Sequence, residues 1–299
     1  MSSTLEDLQA QIASGEDLSS IVRTMKALAA TSVRQYEKAA ESLDDYFYTV
    51  ELGLSVVLSS YAGVPTDPAL DRRWPVLLLV FGSDYGLAGR FNEEIVSYAL
   101  TNHWGQEAEL PENRITAAAG EQAVNRLRAA GVNPVARFGM PTSISAITPF
   151  VQVLLERIER LRSQEGVERA LLFYNRPTIG GFSPQAETLL PVSLARLRET
   201  RLKWQSRSLP TFSMSPDRLL SSLLHQYFFV SLYRASALSL AAENSSRLTA
   251  MQAAEKNIGE RLGDLKMAFQ QERQAVITGE LLDIISGFKT VRDRQESID

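Results

Sequence analysis

LTAMQAAEKNIGERLGDLKMAFQQERQAV, residues 248–276, is the stretch whose periodicity decides the fold. Leu248, Met251, Ile258, Leu262, Leu265, Phe269 and Val276 keep to alternating steps of three and four, with Glu255 and Glu272 interrupting the series. That spacing is the seam of a coiled coil, one apolar stripe of a helix turned toward a partner helix. The stretch lies inside a proline-free run. All 12 prolines fall between Pro65 and Pro216, so the first 64 residues and the last 83 contain none. Proline costs about 3 kcal/mol inside a helix, and long ends without it are expected to be long helices.

The N-terminal arm repeats the pattern. Leu18, Ile21, Met25 and Leu28 take the same steps, and Ala39, Leu43, Tyr46 and Val50 resume them after a slip. Alanines crowd both arms, at Ala27, Ala29, Ala30 and Ala39 and again at Ala235, Ala237, Ala241, Ala242, Ala253 and Ala254, which lets two helix axes approach closely. About 55 helical residues span ~80 Å and about 75 span ~110 Å. A compact globule of this length has a radius of gyration near ~19 Å. The economical expectation is an antiparallel coiled coil of the two ends projecting from a central domain. Gly15, Gly53, Gly259, Gly263 and Gly279 leave a bundle of shorter helices as the alternative.

The middle of the chain alternates differently. Val76–Phe81 (VLLLVF) is a continuous apolar run between Pro75 and Gly82, as expected of a strand buried on both faces. Residues 92–104, 121–130 and 148–162 have helical character, while 114–119, 135–138 and 170–174 have strand character. Such alternation predicts a βαβ sheet. The expected fold class is therefore α/β plus a long antiparallel coiled coil. Residues 1–64 and 217–292 form axle helices, and a βαβ-type, Rossmann-like domain at 74–212 is inserted between them.

Composition excludes several classes of function. The 299 residues carry 31 basic and 35 acidic side chains, a net charge of −4 and a pI near 5.5, unlike a dedicated nucleic-acid binder. With no cysteine there is no disulfide, thiolate nucleophile or zinc finger. The only histidines, His103 and His225, are far apart, so no metal site is expected; His103 beside Trp104 and His225 among Leu223, Leu224, Tyr227 and Phe228 are expected to be structural. No run approaches the roughly 18 apolar residues of a membrane span, and the first residues lack a signal-peptide pattern, so a soluble compartment is expected.

Two segments are candidate sites. Gly82-Ser83-Asp84-Tyr85-Gly86-Leu87-Ala88-Gly89 follows the first strand and precedes a helix, where a phosphate loop would sit. The spacing of Gly82, Gly86 and Gly89 does not match GxGxxG, and no GK[ST] follows. A tight turn needing glycine dihedrals is the expected role, with Asp84 an isolated carboxylate lacking an evident catalytic partner. Residues 175–181 (NRPTIGG) are punctuated as a loop. Arg273, Gln274, Thr278 and Glu280 form a polar cluster on a helix with an apolar seam, which is either a solvated face or a surface that docks a partner.

These residues carry a resemblance. Ala250-Met251-Gln252-Ala253-Ala254 with Asn257, then residues 273–281 (RQAVITGEL) with Ile285-Ser286-Gly287, resemble the AM-x-AA-x-x-N and RQ-x-x-IT-x-EL-x-EI-x-SG patterns of the gamma subunit of rotary F-type ATP synthases. Ser83, Asp84, Gly86, Leu87, Gly89 and Asn92 are similar to that family's SDRGLCG-x-x-N loop. Ile21, Met25, Ala29, Ala30 and Arg34 resemble its first-helix motif, and Tyr174 and Leu189-Leu190-Pro191 also fall where the family has them. Tyr85, Ala88, Arg90, Ser32 and Lys26 depart from the usual arginine, cysteine, glycine, lysine and acidic residue. These departures point to a divergent branch, such as the alternative F-type ATPases of some bacteria.

The resemblance implies a non-catalytic rotor subunit without a cofactor. It would couple translocation of an ion, proton or sodium, through a membrane ring to ATP synthesis or hydrolysis in a hexamer of alpha and beta subunits. It also implies an epsilon subunit as partner and a peripheral position on the cytoplasmic face of a bacterial plasma membrane. Met25, with Arg23 and Lys26, would meet the catalytic subunit's lever loop. Arg273, Gln274, Thr278 and Glu280 would engage a catch loop, while Gly82, Asp84, Gly86 and Gly89 would shape the foot. A nucleotide-binding α/β enzyme and a free-standing coiled-coil adaptor are the alternatives.

Overall fold

The computed structural model describes residues 2–61, 74–101, 113–193, 197 and 210–295. Its elements in chain order are α1 (Ser2–Glu41), α2 (Asp44–Ser59), β1 (Val76–Phe81), α3 (Phe91–Thr101), β2 (Arg114–Ala119), α4 (Glu121–Ala129), β3 (Ala136–Phe138), α5 (Ile144–Glu165), β4 (Arg169–Thr178), β5 (Gly181–Leu190) and α6 (Pro216–Gln295). Contacts divide the chain into two units, one made of residues 1–27 and 250–299, the other of residues 28–249.

In the first unit the two terminal helices pair antiparallel. Glu16 meets Lys266, Gly15 faces Leu262, and Arg23 and Lys26 reach Glu255. On α6 the expected seam is the one that packs: Met251 and Leu265 are buried, and Ile258, Leu262, Phe269 and Val276 are half-buried. On α1 it is not. Leu18, Ile21 and Leu28 are 53%, 55% and 64% exposed. The packed stripe is Leu5, Leu8, Ile12, Gly15, Ser19, Val22 and Lys26, which keeps the same three-and-four steps one position away. Its glycine, serine and lysine make it less hydrophobic than its neighbour, so hydrophobicity alone selects the wrong register. Closeness decides instead: a Cβ built on Gly15 would stand 2.7 Å from Leu262 Cδ2.

The helices also run through glycine. α6 continues across Gly259, Gly263 and Gly279, and α1 across Gly15. The interruption of the N-terminal arm falls at Ser42 and Leu43, between α1 and α2. There Leu43 N–H turns to Ala40 O in an i→i+3 bond, and Ser42 Oγ donates to Ala39 O. Side-chain bonding to the preceding turn competes with the helical ladder and bends the chain.

The second unit holds a five-stranded sheet ordered β3-β2-β1-β4-β5. β1 lies at its centre, parallel to β2 and β4, and every one of its residues is buried. Because strand side chains alternate, Leu77, Leu79 and Phe81 pack with α5 and with Leu232, Ala235 and Leu240 of α6. Val76, Leu78 and Val80 pack with α3 and α4. The continuous apolar run follows from burial on both faces.

Residues 175–181 are not a loop. β4 extends through Asn175 and Arg176 to Thr178, and β5 begins at Gly181, leaving a two-residue hairpin turn at Ile179-Gly180. Gly180 has φ +84°, and Asn175 is buried with its Nδ2 donating to Phe91 O. Proline and glycine here sit in an edge hairpin, where they are tolerated. β5 pairs antiparallel with β4, so the sheet is mixed rather than a pure βαβ stack.

Candidate functional site

The segment from Gly82 to Gly89 is a braced turn. Gly82 N–H donates to Ala119 O and Ser83 N–H to Asn92 Oδ1, while Asn92 Nδ2 donates back to Ser83 Oγ. Asp84 accepts the N–H of Glu121 at 3.1 Å and of Met140 at 2.8 Å, one on each carboxylate oxygen. It therefore ties the turn to α4 and to the segment after β3. The N–H groups of Gly82 and Ser83 are donated inside the fold, so they are not free to cradle a phosphate.

The glycines there serve different purposes from the one expected of all three. Only Gly89, at φ +56°, needs a left-handed backbone. Gly82 is required by closeness, because an added Cβ would stand 2.4 Å from Ala123 Cβ. Gly86 has open space and no left-handed φ, whereas Leu87 does adopt φ +63°. Ala88 is buried, and its carbonyl accepts Ser246 Oγ of α6 at 2.6 Å. The turn is thereby fastened to the long helix within this unit.

Beside the turn lies a polar group that the sequence reading missed. Glu243 is buried, pairs with Arg247 one helical turn away, and with Tyr36, Asp84 and Ser32 lines a cavity of about 170 Å³. Burial pushes the Glu243 carboxyl above the usual range, Arg247 pulls it back down, and Asp84 adds to the rise. Burial and then Glu243 push up the Tyr36 hydroxyl. The four-residue spacing of Glu243 and Arg247 was the available signal. His225 is exposed on α6, and His103 lies outside the described residues.

Along the paired helices, Arg23 and Lys26 meet on one carboxylate. Arg23 Nε donates to Glu255 Oε1 at 3.1 Å and Lys26 Nζ to Oε2 at 2.5 Å. The hydrogen bond from Lys26 holds the Glu255 carboxyl below its usual range; burial opposes it next, and the hydrogen bond from Arg23 adds to the lowering. Glu255, an interruption of the seam in sequence, is thus the partner of both cations. Met25 between them is half-buried. Farther along α6, Arg273, Gln274, Thr278 and Glu280 are all exposed, and Thr278 Oγ1 donates to Gln274 O of its own helix. Ile277, Leu281, Leu282, Ile284 and Ile285 are exposed in the same stretch.

From residue 4 to residue 291 the sequence matches the ATP synthase family. The chain belongs to the ATP synthase family. Within it the end-to-end likeness is to gamma chains. The ATP synthase gamma chain of Leptothrix cholodnii is 27% identical, over 96% of this chain and 98% of its own. That of Granulibacter bethesdensis is 28% identical, over 95% and 98%. Among solved structures the fold is shared with the rotor of the Euglena gracilis mitochondrial ATP synthase, at 15% identity and a TM-score of 0.62 over 93% of this chain and 100% of that one. It is shared as well with a chain of that enzyme's OSCP/F1/c-ring assembly, at 17% identity and a TM-score of 0.66 over 97% and 95%. This member of the ATP synthase family is thus similar over nearly its whole length to gamma chains. Among its described residues no helix is long and apolar enough to cross a membrane.

Proposed function

We propose that the chain turns as the central stalk of an ATP synthase and makes no ATP by itself. In this reading it sits within a hexamer of alpha and beta subunits, binds an epsilon subunit and a membrane ring, and couples ion movement to ATP synthesis or hydrolysis. It lies peripherally on the cytoplasmic side of a bacterial plasma membrane. The observation that carries the reading is the exposed apolar run Ile277, Leu281, Leu282, Ile284 and Ile285, set beside the polar cluster Arg273, Gln274, Thr278 and Glu280 on one long helix. A face of this kind marks a protein–protein contact. A hexamer bearing would cover it, the polar cluster serving as the catch.

Nearer the N-terminus, Met25 and the solvent-facing side of Arg23 are the groups available to the catalytic subunit's lever loop. Lys26 is turned toward Glu255. Gly82, Asp84 and Gly89 act in shaping the turn rather than in binding nucleotide, and Gly86 lies in the turn without being required by it.

Two measurements test this. Purification of the native chain should bring down alpha and beta subunits, and its recovery without a catalytic hexamer would sink the reading. In reconstituted complexes Arg273→Ala and Glu280→Ala should each weaken assembly or turnover by about 1.5–3 kcal/mol, the scale of a charge-assisted contact, with helix content unchanged. A merely solvated face would move by no more than about 0.5 kcal/mol.

A further inference from the structure

The stripes that the long helices of the first unit turn toward each other carry Lys26 on α1 and Glu255 and Glu272 on α6. On α1 the packed positions run Leu5, Leu8, Ile12, Gly15, Ser19, Val22 and Lys26, and on α6 they run Met251, Glu255, Ile258, Leu262, Leu265, Phe269, Glu272 and Val276. Lys26 and Glu255 face each other, with Nζ of Lys26 on Oε2 of Glu255, and Arg23 reaches the second oxygen from the rim. The pair is sheltered but not sealed, with side-chain exposures of 35% and 26%.

The neighbours of that pair give it its meaning. Gly15 takes Leu262 against its backbone and so contributes to alignment by shape, while Ser19 adds no bulky group, and the ion pair supplies a second constraint on sliding. Helices related by whole or half heptads repeat the same seam. A slip of either kind would place Lys26 opposite Met251, Ile258 or Leu262 instead of Glu255. The ammonium would then face an apolar group, and the Glu255 carboxylate would face an uncharged side chain such as Val22. A charge left unpaired in a packed seam is costly, whereas the matched pair is tolerated. A second ion pair between α1 and α6, Glu16 with Lys266, has both side chains 54% exposed, so solvent screens it and it discriminates register poorly.

We propose that Lys26, Glu255 and Arg23 form a register lock, three positioning residues that fix the axial alignment of the paired helices. The consequence for rotation rests on the central-stalk reading above. A shaft that transmits torque loses work if its two helices slide, so the lock keeps Met25 and the polar cluster at 273–280 at fixed heights.

Charge exchange tests it. Lys26→Glu leaves two carboxylates face to face, and Glu255→Lys leaves three cations. The double variant restores alternation, because the carboxylate moved to the α1 position lies between Arg23 and the ammonium moved to α6. Because the chain has no cysteine, register can be read from disulfide formation after Glu16→Cys with Lys266→Cys is introduced into the full-length chain. Each single exchange should lower cross-link yield by about three- to tenfold, and the double exchange should return it to within about twofold of the parent. In the reconstituted complex the same order should appear in ions moved per ATP hydrolysed.

Parent-like cross-linking in both single variants would overturn the lock. So would a double variant as defective as the singles, which would mean that the two side chains act separately and not on each other. Helix content by circular dichroism identifies a variant that fails to fold; Lys26→Met then replaces it, with a twofold or greater loss of cross-link yield expected and none overturning the lock. The cross-link arm needs only this chain, so failure of the parent to enter a catalytic complex would count against the central-stalk reading and leave the lock standing or falling on its own result.

Discussion

The paired helices of the first unit and the sheet of the second solve the same problem with opposite margins. Around β1 each apolar side chain is enclosed from two layers, and Leu78, Val80 and Phe81 have no exposed surface. Along the paired helices each seam residue has one neighbour helix, so Ile258, Leu262 and Val276 stay half-buried and Leu18 and Ile21 are left outside. Hydrophobic stabilisation scales with area removed from water, so the sheet unit is held by its own core. The helix pair retains apolar surface that only another molecule can cover, which suits a part that works inside an assembly.

The comparison breaks most visibly at its two centres. Leu78→Ala should cost about 3–5 kcal/mol, because the cavity it leaves is walled on both faces. Ile258→Ala should cost only about 1–2 kcal/mol, since the half-exposed site gives up less buried surface. Denaturant titration of the two variants measures the gap, and equal losses would contradict the difference in enclosure.

Next in size is Gly120→Ala. Gly120 has φ +97°, and an added Cβ would stand 2.6 Å from Ser83 N. Backbone strain and collision with main chain together should destabilise by about 2–3 kcal/mol, read as a drop in melting temperature.

pH should separate the units as well. Burial, and then Glu187, push the Tyr174 hydroxyl well above its ordinary value. A raised folded pKa gives stability that is present below the unfolded pKa of about 10 and is lost as pH rises through the folded one, by at most about 1.4 kcal/mol per pH unit for one proton. Urea titrations between pH 8 and pH 11 should show that loss, and Tyr174→Phe should flatten it. Glu255 behaves with the opposite sign. Its carboxyl is lowered, so its pairing persists above the ordinary carboxylate range and is lost as pH falls through the folded value. The smallest effect is expected at Gly86→Ala, within about 0.5 kcal/mol, because the site has open space and ordinary dihedrals.

Much of this was legible in the sequence because it depends on local rules. Absence of proline announces long helices, three-and-four spacing on residues 248–276 announces a seam, and VLLLVF announces a strand buried on both faces. Each of these follows from backbone geometry and side-chain polarity within a few turns of chain. The α1 stripe was not legible, because Leu18, Ile21 and Leu28 are more apolar than Gly15, Ser19 and Val22, and composition alone prefers the outer stripe. Only the close approach of Leu262 to Gly15 reverses that preference. The hairpin at 179–180 was hidden for a related reason, since proline and glycine look like loop residues until an edge position makes room for them. For the sites, sequence supplied the residue types and the tertiary structure supplied their partners. Glu255 was an anomaly in a heptad until the antiparallel helix brought Arg23 and Lys26 to it across more than two hundred residues. Asp84 was an isolated acid until two backbone N–H groups from separate segments closed on it. Periodicity is a property of one segment and can be counted along the chain, but a hydrogen bond between distant segments depends on how they dock, and that is decided only when the whole chain has folded.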